Sequence, residues 1–285
     1  MVTGRCREPN MREVRSMRNG SVLARCSLCA AVILVAASLA IGFAFEQTIT
    51  LPTGQEATIN WDDGELHSTG QAVPPSNAEH DGQKRLMARR GAILDAQRNL
   101  LETLSQVHVT SDATMINLMA QDVVRTQVEG VVQGAIIVDE EWDDELEIYT
   151  VRMAIPLSAA QRIVLPAIRI EPTEAGDAPT GLVLDVRDLN AVPSLSFRIH
   201  TRSGVEVATS GRGFYVTALP GGLGSPVEEV SLDPRVADDP MVIRVVDLAD
   251  NRIDLVISDA DGERLGRYLR IQNYFQDGRA LLIMN

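Results

Sequence analysis

Residues 84–107 read KRLMARRGAILDAQRNLLETLSQV, and this stretch decides the fold. Leu86, Ile93, Leu100 and Val107 recur every seven residues, Met87, Leu94 and Leu101 repeat one position later, and Leu104 lies between the rows. At 100° per residue these side chains share one broad helix face, while Asp95, Arg98, Asn99 and Glu102 fall opposite. The spacing predicts a long amphipathic helix whose leucine-rich face needs cover. Burying about seven such side chains contributes on the order of 10 kcal/mol before chain entropy is subtracted. Arg90 and Gln97 interrupt that face. Arg90 is near the helix start and can snorkel, but Gln97 is central and admits two readings: a buried glutamine satisfied by backbone at a sheet edge, or a groove left for a partner.

The flanking sequence offers the cover. Residues 47–51 and 57–61 alternate as strands, Asp62, Asp63 and Gly64 signal a hairpin, and residues 65–70 form its return. Pro74 and Pro75 end this region, and Asn77 or Asp81 is a candidate N-cap. After the helix come a short β-branched strand at 107–110 and a helical stretch capped by Ser111 or Asp112 and closed by Gly130. Two strands at 131–141 and 146–157 then flank the acidic turn Asp143, Asp144, Glu145. An α+β first domain follows, residues 45–157, with the long helix packed on an antiparallel sheet.

Prolines 156, 166, 172 and 179 with Gly176 mark residues 158–180 as a linker. A smaller, mixed β-rich α+β domain is expected over 181–285. Its strands are placed at 182–187, 196–200, 205–208, 241–248, 253–258 and 280–284, with a short helix from Asp259 to Tyr268. Residues 241–248 and 253–258 read as its strongest strand pair.

The first 44 residues differ from the rest. Six arginines precede an uncharged run over residues 27–45, and Gly42 and Ala44 supply small residues at a cleavage position. This is the pattern of a secretory signal peptide, with an uncleaved anchor as the alternative, and it places the chain in a periplasm. Over all 285 residues 26 Lys and Arg face 39 Asp and Glu, a net charge of −13. Removing residues 1–44 takes away six arginines and two glutamates, leaving 20 basic and 37 acidic residues and a charge of −17. Such a surface repels phosphate backbones, which argues against nucleic acid. Cys6, Cys26 and Cys29 all precede the cleavage position, so the exported part would carry no cysteine for disulfides, thiolate metal sites or nucleophilic catalysis.

No catalytic constellation is legible. His67, His80, His108 and His200 are scattered, without metal-ligand spacing. Ser210 to Gly213 do not form a nucleophile elbow, and the glycine-rich run 220–226 lacks the Lys-Ser/Thr pair of a phosphate loop. Asp259, Asp261, Gly262 and Glu263 fit a helix start better than a calcium loop. No cofactor or small-molecule substrate is implied, and the chain is expected not to be an enzyme.

Several motifs occur in order: I-x-W-x-x-G at Ile59, Trp61 and Gly64; Pro74-Pro75; LMARRGAILDAQRNLLETL; V-x-S-x-x-T at Val109, Ser111 and Thr114; DVVRTQVEGVVQGA; and a closing strand ending in Pro156-Leu157. Over residues 58–157 the chain resembles the N-terminal domain of flagellar assembly protein T. It is similar also to the related outer-membrane lipoproteins found with bacterial flagella and sheaths, although it lacks a cysteine directly after the apolar run. TGLVLDVRDL, PSLSFRI and DPRVADDPMVI look like the C-terminal half of exported proteins that carry this domain. The resemblance implies a non-enzymatic envelope protein that binds flagellar ring components or copies of itself. The alternative is a periplasmic adaptor of a secretion or surface-assembly system. Candidate partner-binding residues are Gln97 and the hairpin acids Asp143, Asp144 and Glu145.

Overall fold

Three alternating segments open the fold: β1 (Glu46–Thr50), β2 (Glu56–Asn60) and β3 (Glu65–Ala72) form an antiparallel meander. Asn60 Oδ1 accepts the amides of Asp62 and Asp63, and Gly64 takes φ 70°, which closes the turn between β2 and β3. The computed structural model describes residues 45–165, 173–174, 176–210, 214–217, 233–236 and 238–284. The leader with its three cysteines, residues 211–213 and the glycine-rich run 220–226 lie outside the described residues. β6 (Ile136–Asp143) and β7 (Ile148–Pro156) complete an antiparallel sheet in the order β1-β2-β3-β7-β6.

The long helix, α1 (Asp81–Gln106), lies across β3 and β7, so this half is α+β as the periodicity predicts. Its N-cap is His80, without a side-chain hydrogen bond, and Asp81 stands in the first turn, where the helix dipole favours a carboxylate.

The face that meets the sheet is not the leucine-rich one. The buried residues are Ala88, Ala92, Ala96, Asn99, Leu100, Thr103 and Leu104. In the N-terminal half the contact face is thus turned by about 100° or more from the row through Leu86 and Leu94. The cause is close approach. A Cβ on Gly70 would stand 2.1 Å from the Ala96 nitrogen and 2.3 Å from the Ala92 carbonyl oxygen, and one on Gly91 would stand 2.8 Å from the Ala72 Cβ. Small residues on helix and strand let the backbones touch, whereas leucines there would hold them apart. Leu86 and Leu94 therefore remain 70 % and 60 % exposed. Two residues assigned by periodicity to the solvated face are bound to the sheet instead. Asn99 Nδ2 donates to the Thr69 carbonyl at 2.8 Å, and Asp95 accepts the Gln71 amide at 3.0 Å.

After α1, β4 (His108–Thr110) pairs with β5 (Ala113–Thr114). The expected single helical stretch is divided into α2 (Met115–Leu118) and α3 (Asp122–Gln133). Gly130 lies inside α3, because Val124, Val128, Val131 and Val132 continue the helical period through it, and the helix ends at Gly134. β6 consequently begins at Ile136 rather than 131. The span read as a linker from 158 begins with a helix, α4 (Leu157–Val164), that buries Leu157 and Ala160. The prolines around it had obscured its short period.

The second half is built on parallel pairing. β8 (Leu182–Asp185), β11 (Phe214–Thr217), β12 (Met241–Arg244) and β15 (Ala280–Met284) form an all-parallel sheet in the order β11-β15-β8-β12. β9 (Arg198–Thr201) and β10 (Glu206–Thr209) make the expected hairpin, extended by β14 (Leu255–Ile257) and β13 (Asp247–Leu248) in the order β10-β9-β14-β13. The span 241–248 is therefore not one strand. β12 joins the parallel sheet, and only β13 turns back onto β14. α5 (Asp259–Tyr268) is capped by Ser258, whose Oγ accepts the Asp261 amide at 3.1 Å; Asp259 is its first residue.

The halves are tied directly. The Leu195 and Ser196 amides donate to the His108 and Val109 carbonyls at 2.9 Å, and Arg235 Nη1 donates to the Asp62 carbonyl at 3.1 Å. One core runs through Ile59, Leu100 and Met153 to Leu182, Phe197 and Leu282. The described residues make one compact unit.

Candidate partner-binding surface

The β6–β7 hairpin brings together seven acids over residues 139–147, and α1 supplies cations to three of them. Lys84 Nζ pairs with Glu147 at 2.7 Å, Arg89 Nε with Glu140 at 2.7 Å, and Arg85 with Asp144. The Arg85 guanidinium also lies 5.5 Å from the Trp142 ring centroid. The Glu147 hydrogen bond and charge raise the Lys84 ammonium above its ordinary range, and Glu140 does the same for Arg89. Both cations are solvated, so the pairs hold the hairpin in place more than they stabilise the fold.

Within the tip, Asp143 Oδ1 accepts the amides of Glu145 and Leu146 at 2.8 and 2.9 Å, and Asp144 accepts Trp142 Nε1 at 2.7 Å. Asp143 and Asp144 thus shape the turn, while Glu145 is exposed. Asp139 and Glu141 stand opposite Arg152 and Thr150 in the ladder and are exposed. Gln97 lies elsewhere. It is half-buried beside the end of α3, with Nε2 3.4 Å from the Gln133 carbonyl, about 18 Å along the helix from Arg85. The structure brings Asp143, Asp144 and Glu145 together and separates Gln97 from them.

What the periodicity missed is a set of exposed apolar side chains. Leu86 and Leu94 on α1 are exposed, as are Ile136 at 61 % and Val138 at 41 % on β6, one of the sheet's two edge strands. The available signal was the spacing of Ala88, Ala92 and Ala96 with Gly91, a second helical face in the same stretch as the leucines.

Elsewhere the polar groups are committed to structure. Arg198 joins the halves: Nη2 donates to Asp254 at 2.9 Å, to Asp112 at 3.0 Å and to Ser111 Oγ. Burial pushes the Asp254 carboxyl up, but the Arg198 amide and guanidinium outweigh this and hold it below the usual range. The four histidines sit on different elements, and among the described residues no group of three or more His, Cys, Asp or Glu is placed to hold a metal. No helix among them is long and apolar enough to cross a membrane. Comparison with protein-family models and with curated protein sequences found no match.

Proposed function

We propose that this chain is a non-enzymatic exported envelope protein that acts by binding other proteins, in a structural or assembly role at the flagellar basal body or its rings. The motif order over residues 58–157 carries this reading. The exposed Leu86, Leu94, Ile136 and Val138 and the acidic β6–β7 hairpin support it, because large exposed apolar side chains recur at protein interfaces. The absence of a catalytic motif in the sequence supports a binding role rather than chemistry.

Deletion of the gene in a flagellated host is expected to impair motility and alter the basal-body rings in electron micrographs. Normal rings and normal motility would remove the flagellar setting. Cell fractionation is expected to release the protein with the periplasm, and a cytoplasmic pool alone would remove export.

A further inference from the structure

β6 is the last strand of its sheet. Its inner edge pairs with β7 from Ile136 to Asp143, and among the described residues no strand lies on its outer edge. Such an edge presents a row of N–H and C=O groups, and proteins usually blunt it by shortness, proline, charge or a covering element. β6 has eight residues and no proline, and all but Trp142 are exposed. Ile136, Ile137 and Val138 expose large apolar side chains, and the register passes from Ile137 to Asp139, leaving Val138 as a bulge outside the ladder with β7. Charge protects only the second half of the strand.

We propose that the outer edge of β6 receives an extended segment of a basic partner protein, pairing antiparallel. Apolar residues of the segment lie along 136–138, and its lysines or arginines lie along 139–143. The charges select this occupant. Glu140 is paired with Arg89, and Arg85 and Lys84 with Asp144 and Glu147, whereas among the described residues no cation is within ion-pair distance of Glu141 or of Asp139, which has Arg152 opposite it in the ladder. A second copy laid antiparallel along the whole strand would set Asp139 against Glu140 twice at the centre and Ile136 and Val138 against Asp143 and Glu141, and each chain carries −13. A basic strand gains main-chain hydrogen bonds, apolar contact and opposite charge at once. The inference rests on the protein-binding part of the proposed function and needs neither export nor a flagellum.

The test uses the purified protein and a labelled synthetic peptide with lysines in its N-terminal half and valines in its C-terminal half, read by fluorescence anisotropy. Saturable binding is expected, weakened about tenfold or more by N-methylation of alternate peptide amides, as expected when backbone hydrogen bonds are lost. Val138→Pro, at an edge bulge where proline is tolerated, is expected to weaken binding similarly while circular dichroism stays unchanged. A peptide with glutamates in place of lysines is expected not to bind, and the Asp139→Asn, Glu141→Gln double variant should show a weaker salt dependence. Equal affinity for methylated and unmethylated peptides overturns the proposal, as does failure to bind. Sedimentation showing self-association that Val138→Pro abolishes overturns it too, assigning the edge to a second copy. If Val138→Pro does not fold, the methylated peptides carry the same test on the native chain. Normal flagella in the deletion strain leave this result untouched, so the two readings fail separately.

Discussion

Asn99 is fully buried where α1 crosses β3, donating through Nδ2 to the Thr69 carbonyl and to Gln55 Oε1, while its own Oδ1 accepts no hydrogen bond from the described residues. Asn99→Ala would leave the Thr69 carbonyl without its donor and is expected to cost about 1–3 kcal/mol in urea unfolding. Asn99→Asp would set a buried carboxylate against that carbonyl, and a loss of about 3 kcal/mol or more is expected. Two residues on opposite sides of α1 make a second contrast. Leu100 is fully buried and Arg98 exposed, so Leu100→Asp is expected to unfold the protein and Arg98→Ala to shift its melting temperature little. Leu100 was legible because it sits where the leucine row and the alanine face overlap. Asn99 was not: its polarity argued for solvent, and only the partner strand shows that a backbone carbonyl waits for it. Gln97 was half legible, since it does meet a backbone carbonyl, at the end of a helix rather than at a sheet edge.

At the level of elements, the existence of strands, turns and the long helix followed from alternation and from the Asp-Asp-Gly signal, but the rotation of the helix did not. Two faces of α1 compete for the sheet, one rich in leucine and one in alanine, and hydrophobicity alone favours the wrong one. Gly70 decides between them, because it admits the helix backbone to a distance that only alanine and glycine tolerate. Gly70→Ala is expected to push α1 off β3 and to destabilise by about 3 kcal/mol, large for one added methyl group, as a lowered urea midpoint would show. The same substitution at Gly82, with open space around it, is expected to be neutral or slightly stabilising, as usual for glycine replaced in a helix. Helix α4 and the division of 241–248 between two sheets were hidden for a different reason. Short elements carry too few residues to display a period, and strand partners are chosen by the whole fold.

For the molecule as a whole, the halves are joined by Arg198 and Arg235, and the carboxylates held by arginines, Asp254 by Arg198, Asp233 by Arg235 and Asp185 by Arg187, set its response to acid. Burial raises Asp185, Asp233 and Asp254, but arginine hydrogen bonds outweigh it and hold all three below the usual carboxylate range. Their contribution is therefore complete above the unfolded carboxylate value, about pH 4, and is lost as pH falls through the depressed folded values. The melting temperature is expected to be nearly flat from neutral pH to about 5 and to fall below about 4. Asp254→Asn is expected to lower it at neutral pH and to flatten that acid limb, and an unchanged limb would show that Asp254 does not control it. The α+β class could be read from the chain, whereas the join could not, since Arg198 and Asp112 are far apart in sequence and nothing local pairs them. The position of β15 sets an order in time. It is fully buried between β8 and β11, so β8 must wait about a hundred residues for this neighbour, and the parallel sheet closes only after residues 280–284 have been made, long after the antiparallel sheet of the first half can form.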